Sequence, residues 1–151
     1  IDIDQRIEAR AGCSIPEIFA QGGEAAFRAL EQEETALAGA CSGKILLNGG
    51  GVVTVEANYA SLHQNGRIYH LLRSLDTLAT DGRPLSQGAD LAAMWQRRAP
   101  LYARFRDAEA DNNGTAEETA AAIWRDFCVH CGSERSEFEH AGHPAAGDLR
   151  T

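Results

Sequence analysis

The stretch from Lys44 to Val53 limits what this chain can become more than any other. Ile45, Leu46, Leu47 and Asn48 form a short apolar run that ends in Gly49, Gly50 and Gly51 before Val52 and Val53 resume. A run of that length closed by glycine reads as a buried strand. Without Cβ atoms, three successive glycines let a backbone lie close against a ligand, and they serve equally well as a plain turn. The motif alone leaves both readings open.

Around it, short apolar runs alternate with helical patterns. Residues 1–3 read as the end of a buried strand and 5–11 as a short helix. Ser14 and Glu17 stand in capping-box register ahead of Ile18 and Phe19, which predicts a helix over 15–20 closed by Gly22 and Gly23. Apolar residues recur at helical spacing over 24–40, with Glu31, Glu33 and Glu34 expected to point away from the apolar stripe. Helix is expected at 55–64 and 74–79, a buried strand at 67–72, and a turn at Asp81-Gly82-Arg83-Pro84. Residues 90–106 read as helix interrupted near Ala99-Pro100, and 107–111 as a weak strand. Thr115 and Glu118 repeat the capping box before a helix to Phe127. Strands alternating with helices imply parallel βαβ units, an α/β fold. Residues 128–151 are polar and without periodicity, so 1–127 reads as the domain and 128–151 as a disordered tail.

A formal charge of −8 and a pI near 5.0 argue against nucleic acid or an anionic membrane as partner, because phosphates need a cationic surface. No apolar run has the length of a membrane span, and the chain reads as cytoplasmic. Four cysteines fit reduced thiols. Cys128-x-x-Cys131 is followed by His140 after only eight residues, then by His143, a spacing shorter than that of a zinc finger. Lys44 is the only lysine, so any role that needs lysine falls on it.

Ligands of α/β sheets bind at the carboxyl ends of the strands. Asp2 and Asp4 lie at one such end, spaced to share a strand face, where they could serve a metal-bound water and a general base. Alternatively, one ends the strand and the other caps a helix. Arg28 precedes Glu31 at ion-pair spacing on one helix face, and Arg97 and Arg98 precede the Ala99-Pro100 break. Arg28 and Arg98 together could clamp a small acid, because guanidinium matches carboxylate in a planar fork. Arg83 is either a lid residue or a turn arginine.

Six segments in order carry a resemblance: Asp2-Ile3-Asp4 with Ile7-Glu8; Ser14-Ile15-Pro16-Glu17-Ile18-Phe19; Gly23-Glu24 with Phe27-Arg28 and Glu31; Gly49-Gly50-Gly51; Arg83-Pro84-Leu85; and Arg98-Ala99-Pro100-Leu101-Tyr102. Over residues 1–127 the chain resembles the shikimate kinases. The resemblance implies phosphoryl transfer from ATP, with Mg²⁺, to the 3-hydroxyl of shikimate. It implies Asp4 at the ring hydroxyls and as base, and Asp2 near the metal through water. Arg28 and Arg98 would take the carboxylate, with Glu31 orienting Arg28. Gly49, Gly50 and Gly51 would form the floor, Phe19 and Phe27 the wall. Arg83 would close on the transferred phosphoryl group.

One family motif is missing from the 151 residues: Gly-x-x-x-x-Gly-Lys-Ser/Thr, the phosphate-cradling loop. Gly43-Lys44 is followed by Ile45 at a strand entrance and cannot replace it. The implied fold is a P-loop kinase-like, three-layer parallel sheet with helices on both faces, here missing its first, central strand. A truncated copy or a piece of a longer protein is expected, inactive alone, poorly stable, and a monomer when complete. Two smaller departures are Asn48, where threonine often precedes the glycines, and a short 75–81 segment without the adenine-stacking arginine. The competing readings are a non-catalytic shikimate-binding or scaffold module that has lost the nucleotide site, and a related small-metabolite kinase.

Overall fold

The computed structural model describes residues 1–74 and 91–131. In chain order they form α1 (Ile3–Ala11), α2 (Ile15–Gly39), a 3₁₀ turn (Val52–Thr54), α3 (Ala57–His63), β1 (Tyr69–Leu72), α4 (Leu91–Phe105), β2 (Ala108–Asp111) and α5 (Ala116–Cys131).

The helix starts follow local chemistry. Asp2 caps α1 by accepting the Gln5 N–H at 3.2 Å. The Ser14 N–H donates to Glu17 at 2.8 Å at the start of α2. Ahead of α5, the Thr115 N–H donates to Glu118 at 2.9 Å and the Glu118 N–H returns to the Thr115 hydroxyl at 3.2 Å. These bonds satisfy N–H groups that a helix leaves without partners. The two helices expected over 15–40 run as one, kinked at Gly23, where φ is 68° and ψ −170°. Side chains with a Cβ rarely accept that backbone. The kink aims the second part of α2, which carries Phe27, Arg28, Glu31 and Glu34.

The sheet departs from expectation. β1 and β2 pair in parallel, from Tyr69 opposite Ala108 to Leu72 opposite Asp111. The strands expected at 1–3 and 45–48 reduce to one parallel bridge between Asp2 and Leu47. There the Ile3 N–H donates to the Leu47 carbonyl at 3.0 Å, and the Leu47 N–H to the Ile1 carbonyl at 2.8 Å. Because α1 begins at Ile3, residues from 3 onward are helical and do not extend the pairing. The run is not buried either: Ile45 is 80% and Leu47 58% exposed. Alternate residues of an extended segment face opposite ways, and among the described residues only the Leu46 side packs inward. The described parallel pairing is thus two separate pieces.

Three other expectations are corrected. α4 continues through Pro100, which removes the intrahelical partner of the Gln96 carbonyl without ending the helix. α5 runs past Phe127, so Cys128 and Cys131 are helical. Glu31 and Glu34, expected to point away from the apolar stripe, are buried. A buried carboxylate needs a paired cation, and Glu34 has two: Arg6 Nε at 2.6 Å and Arg10 Nη1 at 3.0 Å, both on α1. Burial pushes the Glu34 carboxyl up, but the Arg10 and Arg6 hydrogen bonds outweigh it and hold it below the usual carboxylate range. The helix expected over 74–79 from residue 75 on, the turn carrying Arg83, and residues 132–151 lie outside the described residues.

Two apolar clusters position the glycine segment. Ile3, Ile7, Ile18, Phe27 and Ala38 join α1 to α2. Val52, Val53, Leu62 and Phe105 join the 3₁₀ turn to α3 and α4. Leu46 packs against both. With each buried aliphatic or aromatic side chain contributing about 1.5–3 kcal/mol, residues 49–51 are held between two anchored ends.

Candidate active site

Each of the three glycines lies beneath a different side chain. A methyl on Gly49 would stand 3.8 and 3.9 Å from the Asp4 carboxylate oxygens, and one on Gly50 would stand 3.0 Å from the Tyr102 hydroxyl. On Gly51 it would fall 2.5 Å from Nη1 and 2.6 Å from Cζ of Arg28. At Gly50 and above all at Gly51 the absent Cβ is therefore what allows the close approach, whereas at Gly49 a methyl would make only ordinary contact. Asp4 comes from the first turn of α1, Arg28 from α2 beyond the kink, and Tyr102 from α4.

Arg28 is fixed from three sides. Nη1 donates to Glu31 at 2.7 Å, while Nε and Nη2 donate to Glu24 at 3.2 and 3.1 Å. Its Cζ sits 5.1 Å from the Phe27 ring centre, within cation–π range. Phe19 packs on Phe27 with ring centres 5.0 Å apart. Burial pushes the Glu31 carboxyl up, more than Arg28 pulls it down. The Asp4 charge also raises it and the Arg98 charge lowers it, so both groups lie within electrostatic reach of Glu31. An arginine pinned by a buried acid, beside a second arginine and an aspartate over a bare backbone, can hold a small hydroxylated carboxylate.

The structure thus brings together Asp4, Arg28, Glu31 and Gly49 to Gly51, walled by Phe19 and Phe27, with Arg98 nearby. Asp2 stands apart: its Oδ1 caps α1, and with α1 beginning at Ile3 it shares no strand face with Asp4. Arg83 is outside the described residues, and Arg97 is exposed on α4. Sequence reasoning missed Tyr102, whose hydroxyl donates to the Gly50 carbonyl at 2.7 Å. The available signal was its place four residues after Arg98, on one helix face. Lys44 is exposed, and Ile45 follows it in place of a hydroxyl residue. Among the described residues, no three metal-ligating side chains gather. A cleft of about 440 Å³ near His63, Arg67, Asp107 and His130 lies at the amino ends of β1 and β2, away from the glycines.

A protein-family model described as shikimate kinase matches residues 1–127. Shikimate kinase of Pseudomonas putida is 39% identical over 115 residues, covering 70% of this chain and 67% of that protein. The chain belongs to the shikimate kinase family. That family comprises ATP-dependent phosphotransferases of the shikimate pathway to aromatic amino acids. Shikimate kinase of Xanthomonas oryzae pv. oryzae is 39% identical over 136 residues, 83% of this chain and 76% of that one. Among solved structures, shikimate kinase from Acinetobacter baumannii in complex with shikimate superposes with a TM-score of 0.75 at 25% identity, over 89% of this chain and 79% of its own. The Aquifex aeolicus shikimate kinase has a TM-score of 0.72 at 24% identity, over 83% and 79%. The fold is that of the P-loop kinases of this family. No described helix is long and apolar enough to cross a membrane.

Proposed function

We propose that this chain binds shikimate as the phosphoryl acceptor of a shikimate kinase, and that it carries mainly the acceptor half of the site. Arg28 and Arg98 hold the carboxylate, and Glu31 fixes the Arg28 fork. Asp4 takes the ring hydroxyls and accepts the proton of the 3-hydroxyl as the new O–P bond forms. The backbone of Gly49 to Gly51 makes the floor. The single observation that carries this reading is the convergence of Asp4 on Gly49 and of Arg28 on Gly51 from two different helices.

ATP supplies the phosphoryl group in this family, with Mg²⁺ screening its charge. Lys44 does not fit the phosphate-binding role, being exposed before Ile45, whereas Asp2 accepts the Gln5 N–H through Oδ1 alone and keeps Oδ2 for a metal-bound water. We therefore route no step through Lys44, and we expect these 151 residues alone to turn over no ATP. Arg83 remains the candidate lid residue that neutralises charge on the transferred group. The position of Lys44 also favours a second reading, a non-catalytic shikimate-binding or scaffold module. ATP turnover with shikimate by these 151 residues would overturn both the inactivity and the module reading.

Calorimetry tests the acceptor site directly. Shikimate should bind the chain and gluconate should not. Arg98→Ala removes one charge-assisted contact and should weaken shikimate binding roughly ten- to hundredfold. Equal binding of the two acids, or an unaffected Arg98→Ala variant, would refute the assignment.

A further inference from the structure

Tyr102 touches the glycine floor but has no part in the reading above. Its hydroxyl donates to the Gly50 carbonyl at 2.7 Å. Its ring is stacked on His70 of β1, with centres 4.5 Å apart and planes inclined by 20°. Trp95, on the same helix as Tyr102, flanks both rings at 5.9 Å from His70 and 5.7 Å from Tyr102. His70 is kept neutral there, since burial and then the nearby Arg106 hold its imidazole below the usual histidine range. Three flat rings from two elements thus fix the position of one phenol oxygen.

That oxygen controls a peptide plane. A trans peptide is rigid, and its C=O and N–H point in opposite directions. Holding the Gly50 carbonyl toward Tyr102 therefore turns the Gly51 N–H away from it. Loop bonds engage the neighbouring groups: Val52 N–H donates to the Gly49 carbonyl at 3.1 Å and Thr54 N–H to the Gly51 carbonyl at 2.9 Å. The Gly51 N–H makes no such bond among the described residues. We propose that Tyr102 is a positioning residue: by fixing the Gly50–Gly51 peptide it aims the Gly51 N–H at a ring hydroxyl of the bound acid. This deepens the shikimate-site reading and rests on it. α4 then carries two functions one turn apart, Arg98 for the acid group and Tyr102 for orienting the donor that meets a hydroxyl.

Tyr102→Phe keeps the stacked ring and deletes only the O–H. On the full chain, shikimate affinity should fall about five- to tenfold, the scale of one neutral hydrogen bond, with the thermal midpoint lowered by only a few degrees. Amide exchange of Val52, whose N–H is bonded to the Gly49 carbonyl, should quicken. Cyclohex-1-enecarboxylate, which keeps the carboxylate and lacks the hydroxyls, should bind the parent and Tyr102→Phe alike, an outcome that general loosening would not produce. Equal shikimate affinity in parent and variant, or equal loss for both acids, overturns the proposal. Failure of the parent to bind shikimate refutes the acceptor-site reading instead. Amide exchange still decides the Tyr102 tie in that case: faster exchange supports it, and unchanged exchange overturns it.

Discussion

Alanine placed in turn at Gly49, Gly50 and Gly51 should give three very different outcomes from the same chemical change. At Gly49 the new methyl meets only the Asp4 oxygens at 3.8 and 3.9 Å, ordinary contact, so the effect on stability should stay within about 0.5 kcal/mol. At Gly50 it meets the Tyr102 hydroxyl at 3.0 Å. The phenol must give way, and weakening its bond to the Gly50 carbonyl costs about 0.5–1.5 kcal/mol. At Gly51 the backbone itself tolerates alanine, with φ −86° and ψ −12°, but the methyl would overlap the Arg28 guanidinium. Arg28 can move only by loosening its 2.7 Å bond to Glu31, whose side chain is 1% exposed. Complete loss of a buried partner costs about 3–5 kcal/mol, and partial displacement about 1–3 kcal/mol. Urea unfolding should therefore rank the variants Gly49→Ala, Gly50→Ala, Gly51→Ala in order of increasing damage. Shikimate calorimetry should show Gly51→Ala at least tenfold weaker than Gly49→Ala. A Gly51→Ala chain as stable and as tight-binding as Gly49→Ala would refute the claim that missing Cβ atoms make room for the arginine.

The two buried glutamates of α2 should respond to pH with opposite signs. The Glu34 carboxyl is held low, so its stabilisation is present above the ordinary carboxylate range and is lost as pH falls through its folded value. The Glu31 carboxyl is held high, so its contribution grows as pH falls through its raised value toward the ordinary one. Relative to the parent, Glu34→Gln should lose less stability between pH 6 and pH 3 and Glu31→Gln more, by urea titration at each pH; shifts of the same sign would contradict the assignment. Asp126→Asn tests a separate tie, between α5 and β1. Asp126 accepts from Arg67 at 2.6 Å and from the Tyr69 hydroxyl at 2.7 Å, and burial followed by Asp126 pushes that phenol up to about 12. Asp126→Asn should lower the urea midpoint; an unchanged midpoint would show the pair to be fully screened.

Features encoded locally were legible in the sequence. Ser14 with Glu17 and Thr115 with Glu118 placed two helix starts, and Gly22-Gly23 marked the kink, because capping and positive φ depend on a few adjacent residues. The acid-site residues were legible as ordered motifs. The resemblance placed Glu31 beside Arg28, but the burial of Glu34 was not legible. Helical periodicity assigns a lone glutamate to solvent, and the Arg6 and Arg10 partners that reverse this for Glu34 lie 28 and 24 residues away. For Asp2-Ile3-Asp4 two readings stayed open, a shared strand face or a strand end with a helix cap, because they differ only by where α1 begins. Tyr102 escaped notice because its partner is a backbone carbonyl, which no side-chain pattern announces.

Lys44 fails as a phosphate ligand, yet its location has a consequence for solubility. It immediately precedes Ile45, the most exposed of the large apolar side chains described, with Leu47 also open beside it. An extended apolar segment with free edge groups is a template for pairing with another chain, and a flanking cation is a common gatekeeper against such association. Neutralising the chain's one lysine, for example by acetylation, would remove the flanking cation from that segment.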